Sequence, residues 1–418
     1  MNIKQLDREK TINLITAIIV IGFSISVFYH YILGAYFGLG YPYNTFLFTP
    51  LDRFNDFCNL YRANINLDPY PNPLAPYYPF LNLLIYLLTF FPIEFSFVLY
   101  SMFVIIFFIC LNAVYLKTDE SYLYITRIFI FSFLTYGFLF TIDRGNTDGL
   151  LAIFLMLFIF FYERNKTLVS SLFLAFAIAS KVFPAVFLIL LLSDKKHKEV
   201  LLTIAIVILL TIGSLLLFQS NFYDNLIFLL KGHNMSNNPY YQIYLGNNNL
   251  IQRGVSLFTI FKIIFIEMGL IKTINMTKFL SYYSVCVIIL FFILATYIIF
   301  IEKEFWKKTT LLVFSMLLFT QISADYKLIF VCLPMLLFLN SNKEQISLYA
   351  IAFGLLLIPK DYYYLPNIVS DSGAKDISIA VLLNPLIMIA MMCMIIISGL
   401  KSNKERINIA DTSCGLHR

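Results

Sequence analysis

The sequence predicts an all-α, polytopic integral membrane protein: a bundle of about twelve transmembrane helices with a large first external loop. Three observations predict it. The first is charge. Of 418 residues, 60% are hydrophobic and 13% charged, against roughly 25% charged in a soluble domain. A water-soluble globule of this length has too much surface to cover with so few charges, so lipid must stand in for water. The second is aromatic usage. The 44 Phe suit lipid-facing helices, and the 28 Tyr suit the headgroup region, where one end of the ring is wet. The third is a succession of long apolar runs, with a mean hydropathy of +0.81 over the chain.

The runs place spans at 11–33, 95–116, 122–141, 148–162, 167–180, 182–192, 200–218, 279–301, 309–323, 326–340, 346–359 and 378–400. Two further apolar stretches are left out of the count. Residues 79–91 are too few for a full span of about 20 and read as a surface or re-entrant helix. Residues 255–276 are interrupted by Lys262, Glu267 and Lys272 and read as an interfacial amphipathic helix. With both outside the count, the basic loops Arg164–Lys166, Lys195–Lys198, Lys303–Lys308 and Lys401–Arg406 share one side with the basic N-terminal flank Lys4, Arg8 and Lys10. The positive-inside rule puts that side in the cytoplasm. The first apolar run, which no small-residue cleavage site follows, is expected to remain as a span rather than to be removed as a signal peptide.

The opposite side then receives 34–94, 142–147, 219–278, 323–327 and 360–377, which hold most of the Asn, Pro, Tyr and Asp. Residues 1–418 read as a single membrane-embedded domain, with external segments at about 34–94 and 219–278 and no internal repeat. The runs 167–180 and 182–192 meet at Ser180-Lys181-Val182-Phe183-Pro184, where the proline favours a break over one long kinked helix.

The net charge of +6 is absorbed by the basic loops, so a nucleic-acid partner is not expected. The six cysteines and four histidines show no metal-ligand spacing, and no metal or cofactor is expected.

Chemistry should therefore come from charged residues beside the membrane, where an unpaired charge is costly. The first external loop holds Asp52, Arg53, Asp56 and Arg62; on a helix the two aspartates, four apart, would share a face. A carboxylate beside basic residues can act as a general base, and a solvated helix with ordinary ion pairs is the plain alternative. Next comes a Tyr- and Pro-rich stretch, Asp68 to Pro79, including Tyr78: either a connector or a sugar-binding wall. Asp143-Arg144-Gly145-Asn146-Thr147-Asp148-Gly149 lies between two apolar runs, as a helix-capping turn or as the lining of a polar cavity. Lys181 is one cation in an apolar hairpin, snorkelling or facing an anion. The segment 231–254 is rich in Asn, including Asn248, and carries Arg253; amides both donate to and accept from sugar hydroxyls. Ser323-Ala324-Asp325-Tyr326-Lys327 is a charged break between two spans. All six fall on one membrane face. Asp56 is a candidate base, and Arg144, Lys181, Arg253 and Lys327 are candidate phosphate ligands.

Four stretches carry a family likeness: Asn55-Asp56-Phe57 to Tyr61 with Tyr70 and Tyr78-Pro79; Arg144-Gly145-Asn146-Thr147-Asp148 with Leu150-Leu151; Ala179-Ser180-Lys181-Val182-Phe183-Pro184; and Gly246-Asn247-Asn248-Asn249-Leu250 with Arg253. A weaker fifth is Ile322 to Lys327 with Pro334. In this order they resemble glycosyltransferase family 87, the polyprenyl-phosphate-mannose-dependent type of the GT-C class.

The resemblance implies an external aspartate of the first loop, Asp56, as catalytic base. It implies inverting transfer of a mannose-type hexose from a polyprenyl-phosphate sugar to a glycan or glycolipid acceptor, on the extracytoplasmic face of the cell membrane. Asp52, Tyr61, Tyr78, Asn146, Asp148, Asn248 and Asp325 are then expected at the sugar or acceptor. A lipid-linked polysaccharide flippase or transporter is one rival; it predicts inverted repeats and midplane breaks. An O-antigen or capsule polymerase is another, but its main external loop would fall late in the chain.

Overall fold

A computed structural model describes residues 3–70, 77–118, 120–232, 253–270, 275–341, 346–365 and 377–415. The described residues are predominantly helical. Helix α1 covers Ile3–Tyr31, followed by α2 Asn55–Asn64, α3 Pro79–Tyr86, α4 Ile93–Tyr115, α5 Ser121–Phe133 and α6 Tyr136–Arg144. Then come α7 Asp148–Glu163, α8 Thr167–Ser180, α9 Leu188–Ser193, α10 His197–Leu217, α11 Phe222–Gly232 and α12 Leu257–Glu267. The last are α13 Met276–Phe300, α14 Phe305–Leu318, α15 Cys332–Leu339, α16 Ile346–Leu356 and α17 Ala380–Gly415. Tight 3-10 turns at Phe183–Phe187 and Asp325–Val331 lead into α9 and α15.

Among the described residues, five helices are long and apolar enough to cross a membrane: those at 8–36, 93–115, 197–217, 276–300 and 380–404. The pair α5 and α6, bent by 51°, makes a sixth if it is one span. The other expected spans are shorter helices, and they form the interior. Every residue of α14 from Lys308 to Leu318 is buried. Around the bundle, Leu209, Leu216, Phe292 and Phe103 lie open. So much exposed apolar surface suits lipid and would aggregate in water. Within the helices, hydroxyls bond back to the carbonyl one turn earlier, as Thr309 does to Phe305 and Thr310 to Trp306. That pairing is what lets polar residues sit in an apolar bundle.

Two expectations are corrected. Asp52 and Asp56 do not share a helix face. Asp52 ends a 3-10 turn, and Phe54 at φ 58 interrupts the chain before α2 starts at Asn55. Residues 257–267 do form a helix, but Lys262 is buried rather than set on an open polar face. A short antiparallel ladder pairs Tyr364–Leu365 with Ile377–Ser378, too small to alter the all-α class. The stretch 79–91 holds only the eight-residue helix α3, which packs on α2, α8 and α10.

At one point the core is closed main chain to main chain. A Cβ on Gly137 of α6 would lie 2.5 Å from the Leu328 carbonyl carbon and the Ile329 nitrogen, so only glycine fits there.

The charge pattern carries a topological expectation: both chain ends face the cytoplasm. A reporter fused after Arg406 is expected to be active only in its cytoplasmic form. Activity of the exported form alone would overturn this arrangement.

Candidate functional site

The site is built where α6 ends. Gly145, at φ 62, closes that helix, its N–H bonding the Ile142 carbonyl. A Cβ there would stand 2.8 Å from that of Phe57, so the glycine also lets α2 approach. The turn that follows is held from within and without. Asp148 N–H donates to Asn146 Oδ1 at 2.9 Å, and the Tyr100 hydroxyl donates to the Asn146 carbonyl at 2.6 Å.

From the other side comes the first loop. The N–H of Phe54 bonds the Asp143 carbonyl at 2.9 Å, and the Phe54 ring lies 4.0 Å from that of Phe97. These contacts hold the left-handed residue that starts α2, with Asp56 in its first turn. An anion at a helix N-terminus is favoured by the exposed N–H groups there.

Both Asp56 oxygens are engaged. Arg144 Nη2 donates to Oδ1, and Asn146 Nδ2 donates to Oδ2 at 2.7 Å. Arg144 also donates through Nη1 to the main-chain oxygen of Asp52 at 2.8 Å and stacks 4.4 Å over the Phe48 ring. The Asp52 carboxylate is 3.7 Å from Arg144 and accepts from Asn55 Nδ2 at 2.9 Å. Asp143 anchors the same stretch, accepting from Phe48 N–H at 3.3 Å and facing Arg53 Nε at 3.2 Å.

Beyond Asn146 the chain of contacts continues. Lys181 Nζ donates to Asp148 Oδ1 at 2.6 Å, and the Asp148 side chain is 0% exposed. Lys181 sits on extended backbone (φ −154, ψ 140) just past α8, freed from the helix by the break before Pro184. Its ammonium lies 5.8 Å from the Tyr77 ring. Lys327 stands near enough for the charges of Asp148 and Lys181 to act on it; it donates to the Ile322 carbonyl at 3.0 Å and lies 4.7 Å from the Phe183 ring. Asp52, Arg144, Asp56, Asn146, Asp148 and Lys181 thus form one polar strip, with Lys327 within electrostatic reach of its far end.

Arg253 and Asp325 belong to a second, more deeply buried cluster. Arg253 Nη1 pairs with Asp361 Oδ2 at 2.7 Å, and Asp325 Oδ2 accepts from the Tyr136 hydroxyl at 2.6 Å. Lys360 adjoins it, and burial pushes its ammonium down to about 8 against the raising influence of Asp325 and Asp361. Tyr61 is buried and donates to the Phe91 carbonyl at 2.6 Å. Tyr78 precedes α3 and is half-buried. Asn248 and the Asn-rich stretch around it lie outside the described residues.

Tyr136 and Asp361 are participants that the sequence reading passes over. Lys360-Asp361 follows an apolar run as a charged break, the same signal that marks Asp143 to Asp148.

The strip and the lipid-facing bundle have a counterpart among known sequences. The chain belongs to glycosyltransferase family 87, whose sequence model matches residues 76–320. It is accordingly a membrane glycosyltransferase. No curated protein and no solved structure matches it. Arg144, Asn146, Asp148, Lys181 and Arg253 fall within the matched stretch; Asp56, Asp325, Lys327 and Asp361 fall outside it.

Proposed function

We propose that the protein transfers a mannose-type hexose from a polyprenyl-phosphate sugar to a lipid-linked or surface glycan, on the extracytoplasmic face of the cell membrane. The single observation that carries this reading is the strip itself. It links one carboxylate, Asp56, to a cation, Lys181, through Asn146 and Asp148, with a second cation, Lys327, within electrostatic reach of that pair. Glycosyl transfer from a lipid phosphate needs those two functions side by side.

The acceptor hydroxyl gives its proton to Asp56 as its oxygen attacks the anomeric carbon. The bond from that carbon to the phosphate oxygen breaks, and the configuration inverts. Charge growing on the departing phosphate is met by Lys181, Lys327 and Arg144, fixed cations of the chain. Asp52, Tyr61, Tyr78, Asn146, Asp148, Asn248 and Asp325 are proposed to border the sugar or acceptor. Arg253, a further cation suggested for the phosphate, is committed to Asp361 and to main-chain oxygens. The twelve-span count belongs to this reading too, with the shorter helices α7, α8, α9, α14, α15 and α16 completing the bundle.

Mass spectrometry of lipid-linked and surface glycans from a deletion strain tests the reading. Glycans short of one hexose are expected. The purified protein should extend the truncated glycan with a synthetic short-chain polyprenyl-phosphate mannose. Unchanged glycans, or transfer only from a nucleotide sugar, would overturn it.

A further inference from the structure

We propose that Asp361, acting through Arg253, is a positioning residue for the transfer: the pair grips the main chain of the first external loop and thereby sets where Asp56 stands. The inference rests on the reading of Asp56 as base. Its physical basis is where the guanidinium donates. Arg253 Nη1 bonds Asp361 Oδ2 at 2.7 Å and the Phe46 carbonyl at 3.1 Å, while Nη2 bonds the Leu47 carbonyl at 2.8 Å. A planar fork on two successive carbonyls fixes two successive peptide units, which a point charge cannot do.

The grip is anchored on elements distant in sequence. Gly254 bridges Ala324, and Val255 N–H bonds the Ser323 carbonyl at 2.9 Å, so Arg253 is tied to the break that carries Asp325. Nη1 also lies 3.1 Å from the Tyr136 hydroxyl at the start of α6. Both Arg253 and Asp361 are buried, at 4% and 0% exposure, so the pair works out of reach of competing water.

From Leu47 the chain runs on to Asp56 under two further restraints. Phe48 N–H bonds the Asp143 carboxylate, and Phe54 N–H bonds the Asp143 carbonyl. The far end of that stretch is held by the end of α6, and the near end by Arg253. Asp56 stands between its partners Arg144 and Asn146 because both ends are held.

Asp361 decides which way the fork points. A second carboxylate, Asp325, lies 4.0 Å from Arg253 Nη1 and is bonded by Tyr136. With Asp361 neutral, Asp325 becomes the nearest anion, and the guanidinium turns toward it and away from the Phe46 and Leu47 carbonyls. The loop then loses two charge-assisted bonds.

Two measurements on the full-length protein in detergent test this. Hydrogen exchange of the segment 46–56 is expected to quicken in Asp361→Asn and in Arg253→Lys, with the helices unchanged. Lysine keeps the charge opposite Asp361 but cannot span both carbonyls, so it separates grip from charge even if Asp361→Asn folds poorly. Steady-state transfer from a synthetic short-chain polyprenyl-phosphate mannose is expected to show kcat lowered on the order of 10²-fold with donor KM nearly unchanged, as misplacement of a reacting group predicts. Exchange across 46–56 equal to wild type in Arg253→Lys would overturn the proposal. So would a raised donor KM at constant kcat, which would make Arg253 a phosphate ligand. Quickened exchange together with a wild-type protein that ignores this donor leaves the grip standing and removes the functional reading instead.

Discussion

Asp56→Asn is expected to lower turnover by about 10²–10⁴-fold, the usual worth of a general base, while affinity for the lipid-linked donor stays close to that of the native protein. The substitution keeps the side-chain shape but removes the proton acceptor. The amide also presents an N–H₂ group to Arg144 or to Asn146, both of which are donors. Asp56 keeps 20% of its side chain exposed but its partner Arg144 only 12%, so thermal stability is measured beside turnover to separate lost chemistry from a lost ion pair.

Asp52→Asn is the built-in control. The Asp52 carboxylate is 43% exposed, and the shorter contact from Arg144 to that residue is to its main-chain oxygen, which survives the change. Its turnover should fall far less. Both variants would be compared with polyprenyl-phosphate mannose by initial rates and by donor binding. Native turnover in Asp56→Asn would remove the mechanism, and equal losses in the two variants would remove the assignment of the base to Asp56.

The second large effect concerns Lys181, and the structure changes how it must be measured. Lys181→Met alone strands Asp148, whose side chain is 0% exposed. An uncompensated buried charge costs about 3–5 kcal/mol, enough to unfold a marginal protein and imitate a loss of function. The informative variant is Lys181→Met with Asp148→Asn, which removes both charges together. It is expected to fold with near-native thermal stability. Its donor KM should rise about 10- to 100-fold, the effect of losing a charge-assisted bond of about 1.5–3 kcal/mol. Lys181→Arg, which keeps both the cation and the pair, should retain more activity than either. A donor KM close to native in the double variant would show that Lys181 serves only to neutralise Asp148.

Much of this was open to reading from the chain, and the exceptions have physical causes. The breaker Ser180 to Pro184 marks the end of α8, because a proline ring cannot continue a helix and the lysine has no place inside an apolar one. The turn 144–148 is likewise marked by its glycine and its capping residues. The Asp52–Asp56 relation was not legible, since it turns on Phe54 taking φ 58, which a phenylalanine adopts only when tertiary contacts impose it. The partner of Arg253 was not legible either. Asp361 lies 108 residues further along, and no local spacing encodes such a pair. What the inner helices face was not legible, for a different reason. Hydropathy reports burial, and a helix enclosed by other helices, such as α15, is as apolar as one that faces lipid.

The glycine contact between α6 and the segment 325–331 has a consequence for how the site can adjust. No side chain lies between the two backbones at Gly137, so that layer has nothing to repack. Arg144 closes one of these elements and Lys327 lies near the start of the other. Their α-carbons are therefore set like two pins in a single block, and the reach between the two cations is left to their side chains. Any adjustment between them falls to side-chain torsions rather than to movement of the two elements.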